Sequence, residues 1–108
     1  MNNNPIITYV FYIWLNDKIT KKQELRTRQA KNILNWIVCD YFWGGTISEV
    51  NGVYTHEDGT LVKENTLKCE VATNISMDTI LEFIQHCKNR FNQESIMLQK
   101  PAVTTDFL

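Results

Sequence analysis

The sequence carries almost no net charge and has few cysteines, histidines, glycines and prolines. A formal net charge of −1 over 108 residues argues against nucleic acid or a membrane surface as a partner of the whole chain. No two cysteines form a Cys-x-x-Cys motif, which excludes the zinc and redox sites that depend on that motif. We interpret the cysteines as reduced thiols in or near the core, as is typical of cytoplasmic proteins: Cys39, Cys69 and Cys87.

Long apolar segments and glycine-rich loops are also missing. The apolar segment at residues 5–15 is too short to cross a membrane and no basic region precedes it, so we expect neither a membrane helix nor a signal peptide. There is no phosphate-binding loop, no nucleophile elbow around a serine and no pair of metal ligands at helical spacing. The sequence therefore identifies no cofactor, no metal site and no catalytic residue, and it favours a protein that is not an enzyme.

The most informative segment that is present is a continuous apolar strand at residues 6–15. Successive side chains of a strand point to opposite faces of the sheet, and here both rows are largely apolar. Such a strand is typical of the centre of a sheet that is covered on both sides. One row contains Ile7, Tyr9, Phe11, Ile13 and Leu15, and the other contains Thr8, Val10, Tyr12 and Trp14.

The rest of the chain alternates helical and strand patterns. Apolar side chains at helical spacing predict a long helix that begins with Thr20 as its N-cap and ends near Phe42, where Gly44 follows. A second helix, capped by Asn74 or Ser76, is predicted to run to about residue 92. The Asp58-Gly59 pair predicts a hairpin turn. The remaining strands are predicted at residues 46–55, 61–73 and 95–103.

The resulting order, β-α-β-β-α-β, predicts a ferredoxin-like α+β sandwich. We expect one domain over residues 1–108, with a disordered tip at residues 1–4. The four strands should form an antiparallel sheet in the order 4-1-3-2, with both helices on one face. The abundance of Asn, Lys and Ile is typical of an AT-rich genome, such as that of a bacterium or a phage.

Two helices cover only one face of such a sheet, which leaves the row Thr8, Val10, Tyr12 and Trp14 open. A second copy of the chain or a small ligand would cover these apolar side chains, so we expect a homo-oligomer that forms through this face. Aromatic side chains on an open sheet also stack bases in RNA-recognition modules. The glycine-aromatic signature of those modules is absent from the third strand, so we expect no nucleic-acid binding.

Several short segments between residues 44 and 98 follow one another at set spacing. They resemble a family of small ferredoxin-like domains of uncharacterised function, whose members also pass from the second helix to the last strand through a Phe-x-Gln-Glu-Ser-Val type segment. The resemblance implies the fold but assigns no catalytic residue, and the basic first helix of this chain departs from it. The segments are Gly45-Thr46-Ile47, Gly52-Val53-Tyr54, Gly59, Lys63-Glu64 and Arg90-Phe91-Asn92-Gln93-Glu94-Ser95-Ile96.

A candidate ligand site combines open-face aromatics with the basic segment at residues 17–31, which has six basic and two acidic side chains, a net charge of +4. Arg26 is a candidate to clamp a carboxylate or phosphate, or alternatively to pair with Glu64 or Glu94. The predicted ligand-binding residues are Tyr12, Trp14, Lys22, Arg26, Tyr54 and Glu64.

Three functional hypotheses follow. The first is a cytoplasmic, non-enzymatic oligomer that senses or sequesters a small anionic ligand such as a nucleotide. The second is a small enzyme similar to the dimeric α+β barrel group, for which His56, Tyr54 and Glu64 are the candidate titratable residues. The third is a protein-interaction module that uses Trp36 and Trp43 on the outer edge of the first helix.

Overall fold

The computed structural model describes residues 5–100 and has the predicted α+β architecture. The four strands form one antiparallel sheet in the predicted order, in which the first strand lies between the third and the fourth and the second lies outside the third. Neither helix among these residues is long and apolar enough to cross a membrane. The elements are β1 (Ile7–Trp14), α1 (Thr27–Phe42), β2 (Thr46–Thr55), β3 (Leu61–Thr73), α2 (Met77–Arg90) and β4 (Met97–Gln99).

Both helices pack on the same face of the sheet, around Phe11 of β1. The Phe11 ring stacks on Phe42 of α1, with centroids 6.3 Å apart, and meets the edge of Phe83 of α2 at 4.8 Å. Aromatic pairs in these geometries add to the stabilisation that burial of their apolar area provides. The fully buried core around them includes Ile13, Ala30, Leu34, Leu67, Cys69, Val71, Ile80 and Cys87.

The predicted alternation of β1 is confirmed. Tyr9, Phe11 and Ile13 are buried beneath the helices, whereas Val10, Tyr12 and Trp14 on the opposite face are half-buried. We call this opposite face the open sheet face. It also carries the side chains of alternate β3 residues, because β1 and β3 pair in register, with Trp14 opposite Thr66 and Tyr12 opposite Lys68.

The β2–β3 hairpin extends beyond the other two strands. Its last pair is Thr55 with Leu61, whereas β1 pairs with β3 only as far as Thr66. The predicted turn is confirmed: Gly59 has a φ of 85°, and its N–H donates to the carbonyl of His56 at 2.9 Å. The outer part of the hairpin is therefore a two-stranded arm, on which Val53, Tyr54 and Leu61 are exposed.

The first helix begins at Thr27, so the prediction that Thr20 caps it was wrong. The Asp17 carboxylate accepts hydrogen bonds from the N–H groups of Ile19 (2.8 Å) and Thr20 (3.1 Å) and forms a tight turn instead. Short polar side chains that bind nearby backbone compete with helix formation in this way. The chain between β1 and α1, residues 15–26, is consequently a long ordered loop, which we call the β1–α1 loop.

Three further predictions about α1 need correction. Arg26, which lies within the predicted helix, is instead exposed at the N-cap, because the helix starts one residue later. Cys39, predicted in or near the core, is exposed. The left-handed residue that ends the helix is Trp43, with a φ of 68°, and not Gly44. The exposure of Trp36 and Trp43, 73% and 93%, agrees with the predicted outer apolar edge.

The ends of the second half also differ slightly from the prediction. Ser76 is the N-cap of α2, as one of the two alternatives had it, but the helix ends at Arg90, before the predicted residue 92. Asn92, with a φ of 50°, adopts the left-handed conformation that commonly follows a helix end. The predicted disordered tip at residues 1–4 and the predicted strand beyond residue 100 lie outside the described residues.

Candidate functional site

A cavity of about 600 Å³ lies on the open sheet face, at the end where β1 leads into the β1–α1 loop. This volume is typical of cavities that bind small molecules. We call it the sheet-end cavity. Its lining comes from β1, the arm of the hairpin, the first part of β3 and the two loops that follow β1 and α2: Trp14, Asn16, Asp17, Lys18, Lys21, Gly52, Val53, Tyr54, Glu64, Gln93, Glu94 and Ser95.

Glu64 is the most unusual residue of this cavity, because its carboxylate is buried on the face that no helix covers. Only 7% of Glu64 is exposed, and its neighbour on the same face, Thr66, is 2% exposed. One carboxylate oxygen, Oε2, accepts a hydrogen bond of 3.0 Å from the backbone N–H of Asn16. No other described residue donates a hydrogen bond to the carboxylate, so its second oxygen is available to a ligand in the cavity.

The cover over this part of β3 is the indole of Trp14. Trp14 lies opposite Thr66, and Gly52 lies opposite Glu64 on the other side of β3. A Cβ atom on Gly52 would lie 3.4 Å from Nε1 of Trp14 and 3.2 Å from Oγ1 of Thr66. The indole therefore reaches across β3 as far as β2, and it can do so because residue 52 has no side chain.

Tyr54 contributes a second aromatic wall, from the hairpin arm. It pairs with Val62 on the adjacent strand and is 45% exposed. Its ring meets the ring of His56 edge-on, with centroids 5.6 Å apart and planes at 89°. His56 itself lies near the hairpin tip and does not line the sheet-end cavity.

The base of the cavity is formed by two loops that are hydrogen-bonded to each other. The amide of Asn92, which follows α2, donates to Oδ2 of Asp17 at 2.7 Å, and the amide of Gln93 donates to the carbonyl of Asn16 at 2.7 Å. The hydrogen bond from Asn92, together with those from the N–H groups of Thr20 and Ile19, holds the pKa of Asp17 below its ordinary value. Asp17 therefore stabilises the β1–α1 loop as an ionised hydrogen-bond acceptor.

The rim of the cavity carries charges of both signs. Lys18, Lys21 and Glu94 are exposed and line it. Within residues 5–100 the only ion pair joins Lys68 to Glu70 at 3.3 Å, outside the cavity, so none of the three rim charges is paired with a described residue. The same part of the chain contains no group of three His, Cys, Asp or Glu side chains that could hold a metal ion.

Three of the six predicted ligand-binding residues lie together and three lie elsewhere. Trp14, Tyr54 and Glu64 all line the sheet-end cavity, whereas Tyr12, Lys22 and Arg26 do not. Tyr12 faces Lys68 on the open sheet face, with Nζ 6.0 Å from its ring centroid, and Lys22 and Arg26 are exposed on the β1–α1 loop. The ion pair considered for Arg26, with Glu64 or Glu94, is not formed between these described residues.

Sequence reasoning missed the loop residues of the site. No role was predicted for Asn16 and Asp17, although an Asn-Asp pair directly after an apolar strand is a common turn signal. The segment that carried the family resemblance contains their partners, Asn92 and Gln93, with Phe91 buried in the core beside them. The resemblance implied only the fold and assigned no contact to these residues.

No protein-family model and no curated protein sequence matches the chain. Among solved structures, the fold is similar to that of a phage SAM lyase in complex with S-methyl-5'-thioadenosine, with a TM-score of 0.66, 17% identity and coverage of 93% of this chain and 84% of that one. The same comparison with a phage SAM lyase in the apo state gives a TM-score of 0.61, 19% identity and coverage of 87% and 79%. At such low identity the likeness shows the fold alone.

Proposed function

We propose that the sheet-end cavity binds an adenosine-type nucleoside that carries a sulfonium or thioether sulfur, the class to which S-adenosylmethionine (SAM) and S-methyl-5'-thioadenosine belong. The observation that carries the proposal is the buried Glu64 residue, which lines the cavity together with Trp14 and Tyr54 and whose carboxylate accepts a hydrogen bond from only one described donor, the N–H of Asn16. The fold shared with a phage SAM lyase supports this choice of ligand class.

The residues of the cavity suit the two chemical parts of such a ligand. Aromatic side chains stack on a purine, and their faces also attract a cation. A carboxylate that is largely removed from water is costly unless a donor or an opposite charge compensates it. Asn16 compensates only one oxygen of Glu64. A sulfonium would supply the missing positive charge, so we expect SAM to bind more tightly than the neutral thioether.

Cleavage of the ligand is the second candidate function. The enzyme hypothesis required titratable residues that point into a cavity, and Tyr54 and Glu64 both line this one. In a lyase-type reaction the bond between sulfur and a carbon of the amino-acid chain breaks, and its electron pair stays on sulfur, which becomes a neutral thioether. The carbon fragment then loses a proton or closes onto its own carboxylate. Glu64 would position the sulfonium in the cavity and accept that proton.

Binding is tested by isothermal titration calorimetry with SAM, S-methyl-5'-thioadenosine and adenosine. We expect the wild type to bind SAM and the thioether, and Glu64→Gln, which keeps the shape of the side chain, to lose the preference for SAM. Glu70→Gln is the matched control, because Glu70 projects from the same face of β3 but lies outside the cavity. A wild-type protein that binds none of the three at millimolar concentration would overturn the proposal.

Cleavage is tested separately, by mass spectrometry of SAM incubated with the protein. Formation of S-methyl-5'-thioadenosine by the wild type and by Glu70→Gln, but not by Glu64→Gln, would establish the enzyme. Tight binding with no product above the uncatalysed background would leave sensing or sequestration as the function. The two outcomes distinguish the first hypothesis from the second on the same samples.

We also propose that a second copy of the chain covers the open sheet face. The face carries half-buried Val10 and Tyr12, and Met97, which pairs with Tyr12 in the sheet, is 43% exposed. The Lys68–Glu70 pair lies beside them and supplies polar groups that a partner can match. A contact of this kind, with an apolar centre and polar neighbours, is typical of protein interfaces.

A further inference from the structure

Lys21 adopts a backbone conformation that lysine rarely adopts. Its φ is 63°, in the left-handed region, where a Cβ atom crowds the following carbonyl and glycine is favoured. Its N–H donates to the carbonyl of Asp17 at 2.9 Å, and the N–H of Asp17 donates to the carbonyl of Lys22 at 2.8 Å. Neither hydrogen bond involves the side chain of residue 21, so the turn would form as well or better with glycine there.

The side chain of Lys21, which the fold does not require, lines the sheet-end cavity. The Asp17 side chain and its partner Asn92 hold the turn in place, so contacts within the protein hold the backbone of Lys21 at the rim. Strained residues that a surrounding network holds in place are common at ligand sites. The loop does not need a lysine at this strained position, whereas a ligand in the cavity could use its side chain.

The rim charges match the groups of an α-amino acid. The cavity is also lined by Asp17, which accepts a hydrogen bond from Asn92 and interacts with the neighbouring charge of Lys18. In contrast, the side chains of the cation Lys21 and the anion Glu94 form no ion pair and no hydrogen bond with another described residue. An α-amino acid presents a carboxylate and an ammonium on one carbon. With Glu64 facing a sulfonium, the three charges complement the three charges of SAM, whereas the neutral thioether nucleoside would use none of them.

We infer that Lys21 and Glu94 recognise the amino-acid end of the ligand, with the Lys21 ammonium on its carboxylate and Glu94 on its α-ammonium. The inference rests on the proposed function and narrows it: the ligand is the intact sulfonium that still carries its amino acid, and Lys21 is a specificity-determining residue. The fragment without the amino acid, which is the thioether product, is then held more weakly and leaves.

The test compares three ligands on the full chain by calorimetry at low ionic strength: SAM, decarboxylated SAM, which lacks only the carboxylate, and S-methyl-5'-thioadenosine. We expect the wild type to bind SAM about fivefold more tightly than decarboxylated SAM, the size of an accessible charge pair. Lys21→Gly should abolish that ratio while its melting temperature stays the same or rises. Lys22→Gly, at the neighbouring lysine outside the cavity, should keep the ratio.

The outcomes separate the two proposals. If the wild type binds none of the three ligands, the proposed function fails and this inference fails with it. If the wild type binds SAM and decarboxylated SAM equally, or if Lys21→Gly keeps the ratio, the inference is wrong while nucleoside binding stands. Lys21→Asn, which removes the charge with another residue that tolerates a positive φ, must reproduce the loss seen in Lys21→Gly. A Lys21→Gly protein that is less stable than the wild type would assign the side chain a structural role and overturn the inference.

Discussion

The indole of Trp14 lies against the backbone of Gly52, although the two residues belong to strands that do not pair with each other. Trp14 is on β1 and Gly52 on β2, and the indole crosses β3 between them. A Cβ atom at position 52 would meet both the indole nitrogen and Oγ1 of Thr66, at 3.4 Å and 3.2 Å. The depth of the sheet-end cavity therefore depends on a glycine two strands away from the aromatic wall.

Substitution of that glycine should alter the cavity wall without unfolding the protein. In Gly52→Ala the new methyl group must displace the Thr66 hydroxyl, which lies opposite Trp14, by a few tenths of an ångström, and it would itself contact the indole at 3.4 Å. We expect weaker ligand binding and a change of about 1 kcal/mol or less in the free energy of unfolding, because the overpacking is small and alanine suits a strand better than glycine. Calorimetry and urea unfolding measure the two effects.

Gly44→Ala is the matched control for that experiment. A Cβ atom on Gly44 would meet nothing within 4 Å, and its φ is not in the left-handed region. We expect binding to be unchanged and the stability to change by less than about 0.5 kcal/mol. If Gly52→Ala binds the ligand as the wild type does, Trp14 is not a wall of the binding site.

Strand periodicity explains why part of the site could be predicted from the sequence. The alternation of β1 placed Trp14 on the open sheet face, and the Asp58-Gly59 turn set the register that places Tyr54 and Glu64 on the same face. Both signals are local, since side chains alternate along every strand and the turn defines the pairing of its hairpin. The pairing of β1 with β3, which brings Trp14 beside the other two, is a long-range contact that followed from the predicted strand order.

The loops could not be predicted in the same way. The start of α1 at Thr27 and the turn at Lys21 depend on Asp17, whose carboxylate is held by Asn92, 75 residues further along the chain. Taken alone, residues 20–26 contain no proline or glycine and are compatible with a helix. The hydrogen bond from Asn92 to Asp17 favours the loop over a helix. Because it joins distant parts of the chain, it cannot be predicted from the residue pattern of residues 20–26 alone.

The three cysteines should differ sharply in reactivity. Burial raises the pKa of the Cys69 and Cys87 thiols to about 12, whereas Cys39 is exposed on α1. At pH 8 a thiol with such a pKa is ionised to about one part in ten thousand, and only the thiolate reacts. We expect one thiol per chain to react with Ellman's reagent in the native protein, and three in urea. Cys39→Ser should abolish the native reaction; a residual native thiol would contradict the buried positions of the other two.

Self-association through the open sheet face should be sensitive to charge at its centre. Val10 lies opposite Glu70 on β3 and Gln99 on β4, so Val10→Glu places a second carboxylate beside the first. Like charges at paired positions lower the stability of the monomer by about 1 kcal/mol or less. An interface over this face would have to remove both carboxylates from water, which costs much more. We expect light scattering to report an oligomer for the wild type and a monomer for Val10→Glu.

Leu81→Glu controls for the added charge, because Leu81 is 54% exposed on α2, in the helix layer that covers the other face. It should associate as the wild type does. A wild-type protein that is monomeric at micromolar concentration would show that the open sheet face has no partner copy, and loss of association in Leu81→Glu would move the interface to the helices.

The hydrogen bond between Asp17 and Asn92 should make the stability of the β1–α1 loop depend on pH. The pKa of Asp17 is lowered in the folded protein, first by the Asn92 amide, so this carboxylate contributes stability above its pKa in the unfolded chain, about 3.9. That contribution is lost as the pH falls through the lower, folded pKa. Asn92→Gly removes the amide without straining the backbone, since residue 92 has a φ of 50°.

We expect Asn92→Gly to be less stable than the wild type in urea unfolding at pH 6, and the difference between the two to shrink at pH 3, where Asp17 is more protonated. The same substitution in an Asp17→Asn background, which has no carboxylate to titrate, should cost the same at both pH values. A cost of Asn92→Gly that does not change with pH in the natural background would mean that the amide stabilises the loop through contacts other than its bond to the Asp17 carboxylate.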